Sequence, residues 1–538
     1  MYTKTYSATL EGINAQIIGV EIDASEGVPG FTIVGLAGKS VNEAKDRVSI
    51  ALRSCEFDLE PKKILVNLSP AHLRKESTHF DLSIAAALMV NYGCIEARPN
   101  LLEEFCFFGE LSLTGELKPT LGLLPLALEA HKQNIKYIIV PKSNQKEASL
   151  VSLATDFNSE IYAINNLNEM QALIEALSSL LSDIEDPELH AAKQQVVDEY
   201  RVAKLDSTSV VQAHNKKEPQ LNLDDVIGQT IAKRGLEIAA AGGHHLLMIG
   251  PPGCGKSMLA HRFRALLPVL SFDEALEVTK IYSICGLLND QLILSPPLRA
   301  PHHSASNAAL VGGGSSIKPG EVSLAHHGVL FLDELTEFNR HTIEMLRQIL
   351  EEKAITINRI KQTLRFPANF IMVAACNPCP CGYLGDTIKA CTCQPGQITS
   401  YLGKLSGPLL DRIDLHIELA RLNQDEIKML TRVHSSSNQR SKTALIEVTE
   451  TLTEKVKYNV ITARQFALEE SQGYTLGKEE LEFVDHAVFN LELSARSHQK
   501  VLRVSRTIAN LAQSAHIKLE HLAEAMQFRS VDWGRYRK

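Results

Sequence analysis

The sequence predicts an α/β protein whose central part is built on a parallel β-sheet. Three short apolar runs support this prediction, and each ends in residues suited to chemistry. They are His245–Ile249, which leads into a glycine-rich loop, Val329–Leu332, which ends in two carboxylates, and Ile371–Cys376, which ends in an asparagine. A parallel sheet presents the residues after such strands along one edge, so the three runs predict one shared site.

Length and composition limit the possible classes of protein. The 538 residues correspond to about three domains. A hydrophobic content of 44% and a charged content of 22% are typical of globular chains. The formal net charge of −8 excludes coating of nucleic acid through bulk charge alone, although local basic loops are compatible with it. The sequence contains no run of ~18 apolar residues and no signal-peptide pattern, which predicts a soluble cytoplasmic protein without a membrane partner.

The pattern along the chain indicates four segments. Residues 1–175 alternate strand-like and helical runs, including a helix over Ser40–Arg53 with Ser40 as its N-cap, and form an α+β domain. Residues 176–220 are polar and acidic and predict a partly helical, mobile linker; a surface helix hairpin is the alternative. Residues 221–422 form the α/β core. Residues 423–538 are mostly helical, with one helix expected over Ser494–Ser514.

The glycine-rich loop matches the pattern G-x-x-x-x-G-K-[ST], placed between a strand and a helix as a phosphate-binding loop requires. Glycines let successive backbone N–H groups surround phosphate oxygens, and the following helix adds its positive end. Lys256 is expected to contact the β- and γ-phosphates and Ser257 to bind Mg²⁺. The expected nucleotide-binding residues are Gly250, Pro251, Pro252, Gly253, Cys254, Gly255, Lys256, Ser257 and Met258.

The other two strands supply the remaining catalytic candidates. Asp333 is expected to hold Mg²⁺ through water, and Glu334 to orient the water that attacks the terminal phosphate. Asn377 would help to position that water. Arg412 lies on a short loop and suits the charge of a transferring phosphoryl group. If a neighbouring subunit contributes Arg412, ring assembly follows; a local ion pair with Asp411 or Asp414 is the alternative.

These motifs together resemble AAA+ P-loop ATPases of the magnesium-chelatase and MCM-like clade. The segments Arg299–Ser306, Leu310–Gly314 and Pro319–His326 narrow the resemblance to the YifB/ComM family of bacterial magnesium chelatase-like ATPases, across nearly the whole chain. The resemblance implies ATP and Mg²⁺ as cofactors and a C-terminal helical lid that carries a sensor 2 arginine. Arg496 fits that role, with Arg503 as the second candidate.

The family resemblance also implies a function. It points to a hexameric helicase that promotes branch migration on single-stranded and branched DNA during homologous recombination in natural transformation. Other recombination proteins are then expected as partners. The alternative is a magnesium chelatase-like motor that remodels a protein partner, which the acidic net charge would favour.

The segment Phe108–Pro119 resembles the proteolytic domain of Lon, which implies a Lon-like, ribosomal S5 domain 2-like fold for residues 1–175. Lon chemistry needs a serine nucleophile and a lysine base. Asp81 stands where the serine is expected, with Ser83 as an alternative alignment, and Leu124 stands where the lysine is expected. The domain is therefore predicted to be non-proteolytic.

Two further patterns are open to more than one interpretation. Cys379, Cys381, Cys391 and Cys393 form two C-x-C pairs that could bind zinc or could be reduced thiols on a loop. In an extended segment the neighbours His302 and His303 would point to opposite faces, which favours structural roles over metal binding.

A basic segment lies just before the strand that ends at Asn377. Two β-type runs flank Arg359 and Lys361 and predict a hairpin with a basic tip. In a ring, such tips would line the pore and bind DNA phosphates. A solvated hairpin without a ligand is the alternative.

Overall fold

A computed structural model describes residues 2–57, 59–182, 186–206, 221–314, 317–359, 362–386, 388–421, 426, 451–469, 476–490 and 495–529. The chain divides into two units. Unit one comprises Met1–Lys217 with Leu276–Leu292, and unit two comprises Glu218–Ala275 with Ile293–Lys538. Within the described ranges, the helices are all too short or too polar to span a bilayer.

Unit one is built on a mixed seven-stranded sheet. Its strands and two short extra strands are β1 (Tyr2–Glu11), β2 (Asn14–Ser25), β3 (Gly30–Val34), β4 (Lys63–Ser69), β5 (Phe105–Phe107), β6 (Glu110–Leu111), β7 (Leu117–Lys118), β8 (Tyr137–Pro141) and β9 (Glu160–Ile164). The sheet order is β3-β4-β2-β1-β5-β8-β9, and β6 pairs with β7 separately. Strands β1, β2 and β4 are antiparallel, whereas β5, β8 and β9 are parallel.

Helices cover this sheet. They are α1 (Lys39–Asn42), α2 (Ala44–Ser54), α3 (Phe80–Asn91), α4 (Leu123–Lys132), α5 (Gln145–Ser149), α6 (Leu167–Leu180) and α7 (Pro187–Tyr200). The single helix expected over Ser40–Arg53 is split at Glu43, and its first cap is Gly38 rather than Ser40. The break lets both Val41 and Ala44 lie fully buried in the core.

The segment expected to be a linker is partly structured in unit one. The expected boundary at residue 175 falls inside α6, and α7 packs against α6. Asp186 caps α7, Val197 is buried, and the Val202 N–H donates to the Ile161 carbonyl at 2.8 Å. Val196, Val197 and Tyr200 of α7 pack into the core of unit one. The helical part of the expected linker is therefore present in residues 187–200, and its packing favours the alternative of a surface helix hairpin. Residues 207–220 lie outside the described ranges.

Unit two contains the predicted parallel sheet. Its strands are β10 (Leu246–Ile249), β11 (Leu298–Arg299), β12 (Gly312–Gly313), β13 (Lys318–Pro319), β14 (Val329–Leu332), β15 (Ala354–Arg359), β16 (Gln362–Pro367), β17 (Ile371–Cys376) and β18 (Leu415–Glu418). The five-stranded sheet has the order β11-β14-β17-β10-β18, with all its neighbours parallel. Strands β12 and β13 form one hairpin, and β15 and β16 form another.

The remaining helices are α8 (Thr230–Gly242), α9 (Lys256–Leu266), α10 (Phe272–Cys285), α11 (Asn307–Val311), α12 (Glu321–Leu324), α13 (Arg340–Glu352), α14 (Pro395–Leu402), α15 (Gly407–Leu410), α16 (Leu452–Glu469), α17 (Lys478–Asn490), α18 (Ala495–Leu511) and α19 (Leu519–Gln527). All belong to unit two except α10, whose residues from Leu276 onward belong to unit one. Helices α8 and α9 share an apolar core with β10, and α13 shares another with β14. The helix expected over Ser494–Ser514 is confirmed as α18. Val460 and Val504 share one apolar core with β10. The boundary of a separate C-terminal lid stays a prediction.

The position expected for a Lon-type nucleophile has a structural role. Arg47 donates to both carboxylate oxygens of Asp81, at 2.7 and 2.9 Å, and the Leu111 N–H donates to the same carboxylate at 3.2 Å. The Ser83 hydroxyl is buried and donates to the Phe80 carbonyl, and Leu124 is fully buried. Arg47 stays protonated and cannot act as a general base, and the Ser83 hydroxyl is bonded to a carbonyl, so these contacts do not supply the base that peptide hydrolysis needs. The Lon-like fold of unit one stays a prediction.

Replacing Asp81 with alanine should destabilise unit one by about 3–5 kcal/mol, because Arg47 would lose the partner of its largely buried charge. Calorimetric melting of the full chain measures this loss. The control is Glu76→Ala, which removes an exposed partner of Arg74 and should cost about 0–1 kcal/mol. Equal melting temperatures of the two variants would contradict the structural role of Asp81.

Candidate functional site

The phosphate-binding loop connects β10 to α9. Gly255 caps α9 with a φ of 95°, a left-handed conformation that strongly favours glycine. The loop therefore leads directly into the helix, and the N-terminal amides of α9 face the space where phosphates are expected. Cys254 is buried, whereas the side chain of Met258 is exposed.

Lys256 holds this loop together. Its buried ammonium group donates to the carbonyl oxygens of Gly250 at 2.7 Å and Pro251 at 3.0 Å. It also donates to the Asn377 side-chain oxygen at 3.1 Å. Asn377 follows β17, which is next to β10 in the sheet. The parallel register therefore brings the amide of Asn377 to the lysine that is expected to bind phosphate.

Ser257 and Asp333 form the expected metal-binding pair. The Ser257 hydroxyl donates to Asp333 Oδ2 at 2.7 Å. Hydroxyl and carboxylate oxygens are the ligands that Mg²⁺ prefers, so these two groups fit the ion. Asp333 Oδ1 accepts the Glu334 backbone N–H at 2.9 Å, which fixes the carboxylate at the end of β14.

Glu334 has a strained backbone and a partner that the sequence did not reveal. Its φ is 51°, a left-handed conformation that is uncommon for residues other than glycine and is often found at active sites. His303 Nδ1 lies 3.2 Å from the Glu334 carboxylate. His302 and His303 occupy a turn, not an extended segment, and their ring centroids are 4.1 Å apart, so the expectation of opposite faces is wrong.

Gln229 is a second residue that sequence reasoning missed. It precedes α8 with a φ of 52°, and its side chain donates to the Ala420 carbonyl at 2.8 Å and the Cys254 carbonyl at 3.3 Å. It therefore ties the phosphate-binding loop to the segment after β18. The Gly228-Gln229 turn before a helix is a weak sequence signal for this role.

The opposite edge of the sheet contains a basic cavity of about 540 Å³. Residues that precede the strands line it, including His245 before β10 and Gly328 before β14. Its charged lining comprises six basic residues, Lys353, Arg412, Arg464, Arg496, Lys500 and Arg503, and four acidic ones, Glu274, Glu351, Asp411 and Asp414. The excess of basic residues makes the cavity suitable for an anionic partner.

Arg412 and Arg496 both belong to this cavity. Arg412 is mostly buried, donates to the Pro408 carbonyl at 2.6 Å, and pairs with Glu351 rather than with Asp411 or Asp414. Arg496 and Arg503 are seven residues apart on α18 and share one face of it. The structure thus groups these arginines at the amino-terminal edge, whereas Lys256 lies at the carboxyl edge.

Asp414 anchors the floor of the cavity. It accepts the His245 backbone N–H at 2.9 Å and pairs with Lys500 at 2.9 Å. Burial alone would raise its pKa, but the imidazole of His244, whose Nδ1 lies 3.8 Å away, and the charge of Lys500 hold the pKa of Asp414 well below its usual range. Burial lowers the pKa of His245 to about 4, so the imidazole is neutral near pH 7.

The predicted hairpin is present as β15–β16. Ile355 and Phe366 on its inner face are buried, whereas Thr356 and Arg365 are exposed on the other face. The backbone of Arg359 ends β15, but its side chain is not described. Lys361 lies outside the described residues, so the positions expected to bind DNA stay predictions.

The four clustered cysteines converge in space. Cys379, Cys381, Cys391 and Cys393 place their sulfur atoms within 4.8 Å of one another. Cys376 is separate from this cluster, and burial raises the pKa of its thiol to about 12, so it is not a nucleophile near neutral pH.

Strand order, loop and carboxylates define the class of the protein. A five-stranded parallel sheet with a phosphate-binding loop after β10, which is next to the central strand β17, and an Asp-Glu pair after β14 is the core of an AAA+ ATPase. The sequence-based prediction of this α/β core is confirmed.

Comparison with known proteins identifies the family. Residues 222–427 match the family "Magnesium chelatase, subunit ChlI", residues 20–144 match "Subunit ChlI of Mg-chelatase", and residues 450–529 match "Magnesium chelatase, subunit ChlI C-terminal". The chain is 40% identical to competence protein ComM of Haemophilus influenzae over 98% of its own length and 97% of that protein. It is also 40% identical to YifB of Escherichia coli, over 97% and 96% of the two chains.

A more distant relative is the magnesium-chelatase 38 kDa subunit of Cereibacter sphaeroides, 23% identical over 38% of this chain and 61% of that protein. The chain belongs to the ComM/YifB family of magnesium chelatase-like AAA+ proteins. Membership in this family implies the use of ATP and Mg²⁺, which the oxygen ligands of Ser257 and Asp333 fit.

We predict that Mg²⁺ strengthens binding of a non-hydrolysable ATP analogue by about tenfold or more, and that Ser257→Ala loses most of this gain. The reason is that the hydroxyl of Ser257 lies at the expected ion position beside Asp333. Titration calorimetry with Mg²⁺ and with a chelator measures both affinities. The control Ser400→Ala, at an exposed position of α14, should keep the full gain; an undiminished gain in Ser257→Ala would contradict the assignment.

Proposed function

We propose that the protein is an ATP-driven DNA motor that promotes branch migration during homologous recombination. We also propose that it assembles into a ring of six subunits, the ring size that the family resemblance implies. The observation that carries the proposal is the separation of Lys256 from Arg412 and Arg496 at opposite edges of one sheet. Each subunit would then carry the phosphate-binding half of one nucleotide site and the arginine half of another.

The separation is too large for a single side chain to cross. The strands between the two edges have four to six residues, which corresponds to about 13–20 Å at 3.3 Å per residue. An arginine at the amino-terminal edge therefore does not reach phosphates bound at the carboxyl edge of its own sheet. A second copy that presents its basic cavity to the first would supply the missing positive charge.

Repeating this contact between identical subunits produces a closed assembly. The phosphate-binding face and the basic cavity are different surfaces, so the contact is heterologous and generates a ring when the rotation closes. A hexamer is the ring size that the family resemblance implies. The excess of basic residues in the cavity supports an anionic nucleotide as the group shared across the interface.

The exposed face of the β15–β16 hairpin supports DNA as the substrate. Arg365 and Thr356 are paired across the hairpin and exposed, and Arg359 is at the end of β15. A Cβ placed on Gly312 of the β12–β13 hairpin would lie 3.2 Å from Ile357, so the two hairpins pack side by side. Lys318 of the second hairpin is also exposed. Basic groups on adjacent hairpins suit phosphate contacts despite the acidic net charge.

Similarity to a competence protein over almost the full length of both chains favours branch migration over other motor functions. A motor that remodels a protein partner is the rival. Stimulation of ATP hydrolysis by single-stranded DNA, and migration of a branched DNA substrate by the purified protein, separate the two.

The arginine proposal predicts complementation in mixed rings. Arg412→Ala protein and Lys256→Ala protein should each lose ATP hydrolysis, and mixing them should restore part of it. The reason is that some interfaces then combine an intact Lys256 with an intact Arg412. Steady-state ATPase assays after co-assembly measure the recovery.

The matched control is a mixture of Asp333→Asn and Lys256→Ala proteins. Both changes fall in the same half-site, so no interface of that mixture regains a complete site and no recovery is expected. Absence of recovery in the Arg412 mixture, despite co-assembly, would show that Arg412 acts within its own subunit or only structurally.

The hairpin proposal predicts a weaker and less salt-dependent interaction with DNA. Replacing Arg359 and Lys361 with alanine should lower affinity for all sequences and reduce the slope of log K against log salt by roughly 0.7 per lost phosphate contact on single strands. Fluorescence anisotropy across a salt series measures both quantities. DNA-stimulated ATPase and branch migration should fall together, whereas basal ATPase persists because the phosphate-binding loop is unchanged.

The control is Lys389→Ala with Lys404→Ala, which removes the same charge from residues that lie outside the hairpin. This variant should keep the DNA affinity and salt slope of the wild type. An unchanged salt slope in the hairpin variant would show that the hairpin does not contact DNA. If the protein instead remodels a protein partner, neither variant should change DNA affinity or salt slope.

A further inference from the structure

The cysteine cluster has the dimensions of a metal site. The Cys379 sulfur lies 3.4 Å from that of Cys381 and 3.7 Å from that of Cys391, and the latter two are 3.6 Å apart. A tetrahedral zinc ion with bonds of about 2.3 Å places its sulfur ligands about 3.8 Å apart. A disulfide would need about 2.05 Å. These three spacings match sulfur ligands around one ion, and the Cys393 sulfur also lies within 4.8 Å of the other three.

The backbone supports thiolates at this site. The Cys381 N–H donates to the Cys393 sulfur at 3.3 Å, and the Cys393 N–H donates to the Cys391 sulfur at 3.4 Å. Such N–H···S bonds are typical of the outer shell that orients thiolate ligands and offsets part of their charge. Cys379 is fully buried and the other three are half-buried, so the site is closed as structural zinc sites are.

The cysteine cluster lies next to the candidate nucleotide site of unit two. Cys379 is two residues after Asn377, and α14 begins at Pro395, two residues after Cys393. Gly382, between the ligands, has a φ of 84°, and a Cβ placed there would lie 2.6 Å from the ring of Pro252 in the phosphate-binding loop. The cysteine loop therefore packs directly on that loop.

The geometry points to a structural zinc ion, bound by Cys379, Cys381, Cys391 and Cys393, that holds the segment after Asn377 against the phosphate-binding loop. The ion closes a short loop between two C-x-C pairs and so fixes the backbone at Gly382. The nucleotide site then depends on a metal that is distinct from the Mg²⁺ of Ser257 and Asp333.

Metal analysis of the full-length protein tests the site. Protein expressed with added zinc and purified without chelator should contain about one zinc ion per chain, measured by elemental mass spectrometry. Cys381→Ser with Cys393→Ser should contain only traces. The control Cys55→Ser with Cys94→Ser, which changes two cysteines outside the cluster, should keep the full content. Metal-free wild type that takes up no zinc after reduction, or zinc retained by the cluster variant, would overturn the inference.

Cobalt substitution in the wild type avoids dependence on the folding of a variant. Four thiolates around Co²⁺ should give strong sulfur-to-metal charge-transfer absorption and the visible bands of a tetrahedral ion. A spectrum of octahedral Co²⁺ would overturn the assignment. Metal content and cobalt spectra do not depend on DNA binding or hydrolysis, so their failure is distinguishable from failure of the proposed function.

A matched pair of glycine variants tests the contact between the cysteine loop and the phosphate-binding loop. Gly382 and Gly385 both have positive φ, of 84° and 78°, but a Cβ at Gly385 would meet nothing within 4 Å. With zinc content retained in both, Gly382→Ala should weaken binding of the ATP analogue by about tenfold or more, and Gly385→Ala by about twofold or less. Equal affinities of the two variants would overturn the link.

Discussion

The buried ammonium group of Lys256 connects the parts of the candidate site. It accepts no hydrogen bond itself and must donate, so its contacts with Gly250, Pro251 and Asn377 compensate its charge. The same group therefore stabilises the loop, supplies a positive charge that suits an anion, and couples β10 to β17.

Parallel strand direction gives the two edges of the sheet different chemistry. The carboxyl edge presents backbone amides, Ser257 and Asp333, which suit phosphate and Mg²⁺. The amino edge presents arginines around Asp414, whose carboxylate offsets part of their charge. The two edges are complementary in charge, which supports the proposed assembly of identical subunits.

In unit one, buried polar residues that could have been candidates for catalysis have structural roles instead. Asp81 is held by Arg47, and the buried amine of Lys75 donates to the carbonyls of Gly35 and Leu68 at 2.9 and 3.0 Å. Burial lowers the pKa of Lys75, but its three carbonyl partners provide acceptors for the amine. These groups fix loops beside the sheet, and no substrate is needed to explain them.

The sequence by itself determined the local features. The loop Gly250–Ser257, the carboxylates after β14 and the strand before Asn377 are contiguous motifs, and the hairpin β15–β16 follows from strand periodicity. The sequence predicts a helix over Ser40–Arg53 but does not predict the break within it, because the break depends on how Val41 packs in the core.

Tertiary structure alone decided the pairings between distant segments. Arg412 pairs with Glu351 rather than with its sequence neighbours, and His303 meets Glu334 across about thirty residues. The four cysteine sulfurs converge because a loop folds back on itself against Pro252. Local propensity acts over a few residues, whereas these contacts depend on the order and register of strands, which a single sequence does not display.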